Sequence, residues 1–269
     1  ENVEPFELEI IRDFIKIRSV KSEIVDDVGY LRITSFNEQT EKGLLNAIKK
    51  IQSDSDVNIR GYILDVRSNP GGLLTQAVKV TDIFLERGEI VSTRGRNKKD
   101  IKRYRAKKSD KINGKPLVVI IDGGSASASE ILAGALQDHR RAIVIGTQSF
   151  GKGSVQTIMP FQVSNSDNLT GIRLTTARYY TPSGESIQGK GITPDIVIEQ
   201  GEFESFEYRS FSEADLKDSL DKDNNETKNN QEDIEEELTV FEKRLAIDYQ
   251  LQRAIDLIRG VSFYKETIQ

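Results

Sequence analysis

Three serines stand at alternate positions in G-G-S-A-S-A-S-E, residues 123–130. The apolar run Leu117 to Ile121 precedes them, and small residues follow. This pattern predicts a strand over Leu117 to Asp122, a turn through Gly123 and Gly124, and a helix from about Ser127 to Leu136. The first turn of a helix carries unpaired N–H groups and positive potential. A serine oxygen placed there is stabilised as it gains negative charge on attacking a carbonyl, and the next N–H can hold the oxyanion. A purely structural role fits as well, because Ser127 with Glu130 matches the S-x-x-E capping box. These considerations do not choose among Ser125, Ser127 and Ser129.

A serine nucleophile needs a base. The chain has no cysteine and one histidine, His139. Disulfides, thiolate metal sites, a cysteine nucleophile and a His-rich zinc site are therefore excluded, and no metal or cofactor is expected. His139 follows Asp138 at the far end of the same predicted helix, roughly 17 Å from its first turn, which is out of reach. A lysine replaces imidazole only as the neutral amine, and burial lowers an amine's pKa from about 10.4 by roughly 3 to 5 units. Lys152 in S-F-G-K-G-S-V-Q (149–156) is the candidate, since Phe150 and two flanking glycines suggest a tightly packed loop entering a strand. A strand starting there puts Lys152, Ser154 and Gln156 on one face, where Gln156 could hold the amine without adding charge. G-T-Q-S-F-G-K (146–152) lacks the hydroxyl residue that completes a phosphate-binding loop, and V-Q-T-I-M reads as strand, not helix. Ser149-x-x-Lys152 with S-D-N (166–168) fits the penicillin-binding pattern, but the glycines oppose the helix it needs and no K-T-G follows.

The elements that must position these residues alternate. Strands are predicted at Gly29 to Ser35, Gly61 to Val66, Leu117 to Asp122, Ala142 to Gly146, Val155 to Pro160 and Ile172 to Tyr180. Helix faces are marked by Leu44, Ile48 and Ile51, and by Ala77, Val80 and Phe84. This is a mixed α/β pattern, a partly parallel sheet with helices packed on it. Leu251, Ile255 and Ile258 mark a C-terminal helix, with Gly260 as its expected stop. With 269 residues, 36% hydrophobic and 30% charged, the chain suits one large domain or two small ones, and no apolar run is long enough to span a bilayer. The net charge of −5 hides two opposed segments. Residues 94–108 carry nine lysines and arginines against one acid; a solvated hairpin is expected there and no nucleic-acid partner. Residues 213–237 carry eleven acids against three lysines and read as an acidic linker or loop. The chain opens on Glu1 and its one methionine is Met159, so a processed or excised piece is expected.

Four stretches together resemble the C-terminal processing peptidases, or tail-specific proteases. They are L-D-V-R-S-N-P-G-G-L-L (64–74), S-A-S-A-S-E-I-L-A-G-A-L-Q-D (125–138), F-G-K-G-S-V-Q (150–156) and Y-Y-T-P-S-G-E-S-I-Q-G-K-G-I-T-P-D-I (179–196). The resemblance implies a ClpP/crotonase-like protease core with a Ser-Lys dyad. It makes Ser127 the nucleophile, Lys152 the general base and Gln156 the third member, with an oxyanion hole from the N–H groups of Ala128 and Gly72, the latter preferred to Gly71. Asp138 is expected to pair with Arg140 or Arg141, Arg67 to be structural or substrate-orienting, and the Thr181 to Gly184 turn to brace the site wall. The implied activity is serine endopeptidase cleavage of unfolded or C-terminal tail segments; the alternative is a non-cleaving or autoinhibited tail-binding scaffold. The division expected is a remnant last strand of a PDZ-like module in 1–20, at about Phe6 to Ile17, then the protease core in 21–200, an acidic linker in 201–237 and a helical segment in 238–269. A homo-oligomer or adaptor contact through the C-terminal helix, and a bacterial periplasm or cell envelope location, are further expectations of the resemblance.

Overall fold

The computed structural model describes residues 18–53, 57–97, 99–107, 110–162, 169–201 and 247–268. Two sheets form its frame. In the first, β1 (Val20–Val25), β2 (Val28–Ile33), β3 (Gly61–Asp65), β6 (Leu117–Ile121), β7 (Ile143–Gly146) and β10 (Ile196–Val197) lie in the order β1-β2-β3-β6-β7-β10. The β1–β2 pair is an antiparallel hairpin and every other pairing in this sheet is parallel. The second sheet is antiparallel, in the order β5-β4-β9-β8, with β4 at Glu89–Gly95, β5 at Ile101–Arg105, β8 at Ser154–Gln162 and β9 at Leu169–Tyr180.

Parallel strands covered on both faces should read as continuous apolar runs, and Leu117 to Ile121 does. Its residues alternate between two cores. Leu117, Val119 and Ile121 join Leu64 and Tyr62 beneath α1 (Thr40–Ser53), α2 (Leu74–Asp82) and α3 (Ala128–Asp138). Val118 and Ile120 join Tyr30, Ile63 and Ile145 beneath Leu251, Ala254, Ile255 and Ile258 of α4, which spans Tyr249–Ile268. The expected mixed α/β architecture with a C-terminal helix is therefore the observed one. The basic stretch lies largely on the β4–β5 hairpin.

Some elements differ from expectation. The hairpin partner β1 and the two-residue β10 were not anticipated. The Gly260 stop is wrong: α4 continues through it to Ile268. A glycine ends a helix by taking up positive φ, and Gly260 is not among the glycines that do. The strand expected at Phe6 to Ile17 and the acidic 213–237 stretch lie outside the described residues.

The α4 contact is close. A methyl at Gly61 would stand 2.7 Å from Ile258 Cγ2 and 2.8 Å from the Pro116 carbonyl oxygen. Gly61→Ala should therefore destabilise by about 1–3 kcal/mol through overpacking, and Ile258→Ala by about 2–5 kcal/mol through cavity formation. Urea unfolding of each variant checks both; wild-type midpoints would contradict this packing.

Candidate active site

The C-terminal ends of β3, β6 and β7 lead into the three loops that hold the candidate site residues. After β6 the chain turns at Asp122 and enters α3 through Ser127. The three serines now separate. Ser125 is buried, with its hydroxyl donating to the Val66 carbonyl at 2.8 Å. Ser129 is buried, with its hydroxyl donating to the Asn69 carbonyl at 3.0 Å. Ser127 is only partly buried and caps α3 with φ 54° and ψ −105°, a backbone state uncommon for a residue with a side chain. The Ser127–Glu130 capping box is present too, so the structural reading of this serine holds beside the chemical one.

The second loop is N-P-G-G, between β3 and α2. Gly71 has φ +101° and presses on the serine turn: a Cβ there would lie 2.7 Å from the Ala126 carbonyl oxygen, 2.9 Å from Ala128 N and 2.9 Å from Ser127 Cβ. The Gly71 N–H is consumed by the Asn69 side chain at 2.9 Å. The N–H groups of Gly72 and Ala128 have no acceptor among the described residues. Asn69 also joins the loops through its backbone, its carbonyl accepting from Ala126 N–H at 3.0 Å.

The third loop, residues 147–153, leads from β7 into β8. It enters a strand and not a helix, so no phosphate-binding loop forms. Ser149 is buried, its hydroxyl donating to Glu130 at 2.6 Å and accepting from Ile192 N–H at 2.7 Å. It is thus fully engaged and unsuited to be a nucleophile. β8 begins at Ser154, so Lys152 belongs to the loop and not to the strand that carries Ser154 and Gln156. The packing expected around Lys152 is only partly there. Gly151 and Gly153 are buried against the backbone at Gly189, Gly191 and Gln188. Their burial fixes the main chain while Lys152 projects outward, exposed, and Phe150 is 68% exposed. Neither the Lys152 amine nor the Gln156 amide has a hydrogen-bond partner among the described residues. The Lys152 N–H donates to Glu130 Oε2 at 2.9 Å, and the Ser127 N–H donates to the same oxygen at 2.7 Å.

Residues 27–198 match the model of peptidase family S41. This chain belongs to that family. It is 59% identical over 197 residues to a carboxy-terminal-processing protease of Bartonella bacilliformis, covering 73% of this chain and 44% of that protein. It is 38% identical over 205 residues to the carboxy-terminal processing protease CtpA of Bacillus subtilis, covering 75% and 42%. Among solved structures it resembles a photosystem II D1 C-terminal processing protease, with a TM-score of 0.60 and 32% identity, covering 69% of this chain and 49% of the other. The chain thus spans less than half the length of the curated S41 relatives named here.

Around this S41 site, the polar residues beyond the loops act as braces. Asp138 does not pair with Arg140 or Arg141. Its Oδ2 accepts the Ser183 N–H at 2.8 Å, holding the turn closed by the Gly184 N–H to Thr181 carbonyl bond. Arg141 is directed instead to Asp110 and to the carbonyls of Phe84 and Lys115. His139 contacts the Glu89 carbonyl at 2.7 Å, at the end of α3 away from Ser127.

Arg67 was expected to be structural or substrate-orienting; the structure shows it buried in an ion-pair network. Its guanidinium makes two hydrogen bonds to each of Asp65 and Asp248 and one to Gln250, while the Arg67 N–H, Tyr30 and Arg32 also donate to Asp65. Burial alone would raise the Asp65 pKa, but hydrogen bonds and charge from Arg67, then Arg32, hold it below the usual carboxylate value. Burial likewise opposes the Arg67 charge, and Asp248 and Asp65 more than offset it, so its pKa is raised. Sequence reasoning missed Asp248, 181 positions from Arg67. Its one local signal was an acid placed just before an amphipathic helix, a capping pattern.

Two outcomes are expected. Gly71→Ala should displace the Ser127 turn and destabilise by about 1–3 kcal/mol through overpacking; a wild-type urea midpoint in that variant would contradict the close approach. Asp65 has a folded pKa below its unfolded one, so its contribution is present above about pH 4 and is lost as pH falls through the folded value. Asp65→Asn should therefore lose about 3–5 kcal/mol at pH 7 and show a flatter acid dependence. Urea midpoints between pH 7 and pH 3 measure this; parallel curves for variant and wild type would contradict it.

Proposed function

We propose that this chain is the catalytic core of a serine endopeptidase that cuts unfolded polypeptides or protein tails. The observation that carries the proposal is Ser127. It stands alone of the three serines in a partly open, strained helix cap, with the N–H groups of the following Ala128 and of Gly72, on the loop that contacts it through Gly71, unpaired among the described residues. In this reading the Ser127 oxygen bonds to a peptide carbonyl carbon and its proton passes to the Lys152 amine. The carbonyl oxygen gains the charge and is held by the Ala128 and Gly72 N–H groups. The C–N bond then breaks, Lys152 returns the proton to the leaving amine, and water releases the acyl group by the same steps. Gln156 orients the lysine amine. No metal or cofactor enters the proposal.

The second sheet offers a place for the substrate. β8 is an edge strand that starts two residues after Lys152, so its outer side has backbone groups available to an added extended chain. Leu73, Phe150 and Ile158, all exposed, offer apolar contacts to substrate side chains. Among the described residues no helix is long and apolar enough to cross a membrane. We assign the protein to the bacterial cell envelope on family resemblance alone.

One observation favours the alternative, an autoinhibited form: Lys152 is exposed and its amine is unpartnered among the described residues. In that form Lys152 swings to Ser127 when substrate arrives.

Ser127→Ala and Lys152→Ala should each reduce cleavage of a loosely folded protein to background, and Lys152→Arg likewise, because guanidinium does not release its proton. Ser125→Ala and Ser129→Ala should lose stability and keep measurable activity. Mass spectrometry of the products, with circular dichroism of each variant, checks this. Equal loss at all three serines in folded protein would remove Ser127 from its role.

A further inference from the structure

Glu130 is fully buried, yet it forms no ion pair among the described residues. Its two oxygens accept four hydrogen bonds. Oε1 takes the Ser149 hydroxyl and the Gly151 N–H, each at 2.6 Å. Oε2 takes the Ser127 N–H at 2.7 Å and the Lys152 N–H at 2.9 Å. A capping box accounts for the first of the two Oε2 bonds. The other three bonds go to a separate loop, after a strand and a turn. Burying a carboxylate costs several kcal/mol even when hydrogen bonds and a helix N-terminus help to offset it. An apolar residue would hold the two loops together more cheaply but could not fix where N–H groups point.

We propose that Glu130 is the positioning residue of the dyad: it sets the Lys152 main chain relative to Ser127 by binding both backbone nitrogens through one oxygen atom. This rests on the Ser127–Lys152 reading above. The two nitrogens are held within two hydrogen-bond lengths of each other. The exposed lysine side chain is thus free to turn, while the point from which it turns is fixed. The Ser149 and Gly151 bonds anchor the other oxygen, which keeps the carboxylate from rotating. A sequence with Asp at 130 would retain the acceptors and lose the reach. A sequence with Gln would retain the reach, but one end of the amide would present a donor to donors.

The test uses Glu130→Gln and Glu130→Asp in the full chain, with Ser127→Ala as reference and an internally quenched unstructured peptide as substrate. Both variants should fold, by circular dichroism, and should lose at least tenfold in kcat with KM within about threefold of wild type. Backbone amide exchange should quicken at least tenfold at Gly151 and Lys152 and stay unchanged along Leu117 to Ile121. A uniform structural role would instead quicken exchange in β6 as well. Wild-type kcat in both folded variants, with Ser127→Ala inactive, overturns the positioning role and leaves the dyad intact. Cleavage by Ser127→Ala equal to wild type overturns the dyad reading, and the positioning proposal with it. Should one variant fail to fold, the kcat/KM split and exchange pattern of the other decide.

Discussion

A buried carboxylate with four donors around it is the point on which the site depends. Glu130 lies in the first turn of α3, where backbone N–H groups lack partners and negative charge is favoured. That placement lets an acid enter the core with no ion-pair partner among the described residues. Once there, it fixes the backbone of the serine turn and of the lysine loop together. The N-P-G-G loop closes from the third side, with Gly71 in contact with Ser127 and the Asn69 carbonyl accepting from the Ala126 N–H and the Ser129 hydroxyl. Three loops from three adjacent parallel strands therefore meet at one serine. The parallel sheet makes this possible, because the strands all point their C-terminal ends to the same edge.

Much of this frame was legible in the residues. Apolar runs such as Leu117 to Ile121 announce strands buried on both faces, and Leu44, Ile48 and Ile51 announce a helix with one buried face. The serine turn was legible as a helix start. What was not legible depended on distant contact. Nothing local in V-K-S-E-I-V distinguishes β1 from a loop; its strand character comes from pairing with β2. Gly260 looked like a stop because glycine often is one, yet α4 packs along the sheet and carries it through. Asp138 has arginines close by in sequence, but its partner is an N–H 45 positions away. The glycines around Lys152 suggested a packed side chain, whereas they pack the main chain and leave the side chain out.

The second core deserves comparison with the first. The larger core lies under α1, α2 and α3 and is built from contiguous parts of the chain. The smaller one is completed by α4 alone, from residues that follow the acidic stretch. Its polar edge is the Arg67 network, where Asp248 caps the approach to α4 through the Leu251 N–H and also neutralises an arginine beside the N-P-G-G loop. The helix is therefore joined to the face of the candidate site by charge as well as by apolar packing. Removing either partner would leave a buried ion facing a single neighbour in place of two.

That joint sets an order of events during synthesis. Arg67 emerges from the ribosome long before Asp248. Until residue 248 is clear of the exit tunnel, the guanidinium beside the loop has Asp65 but lacks its second carboxylate, and the sheet face above Tyr30 and Ile63 is uncovered. A nascent chain can thus form its serine turn early and still wait for the final seat of its N-P-G-G loop.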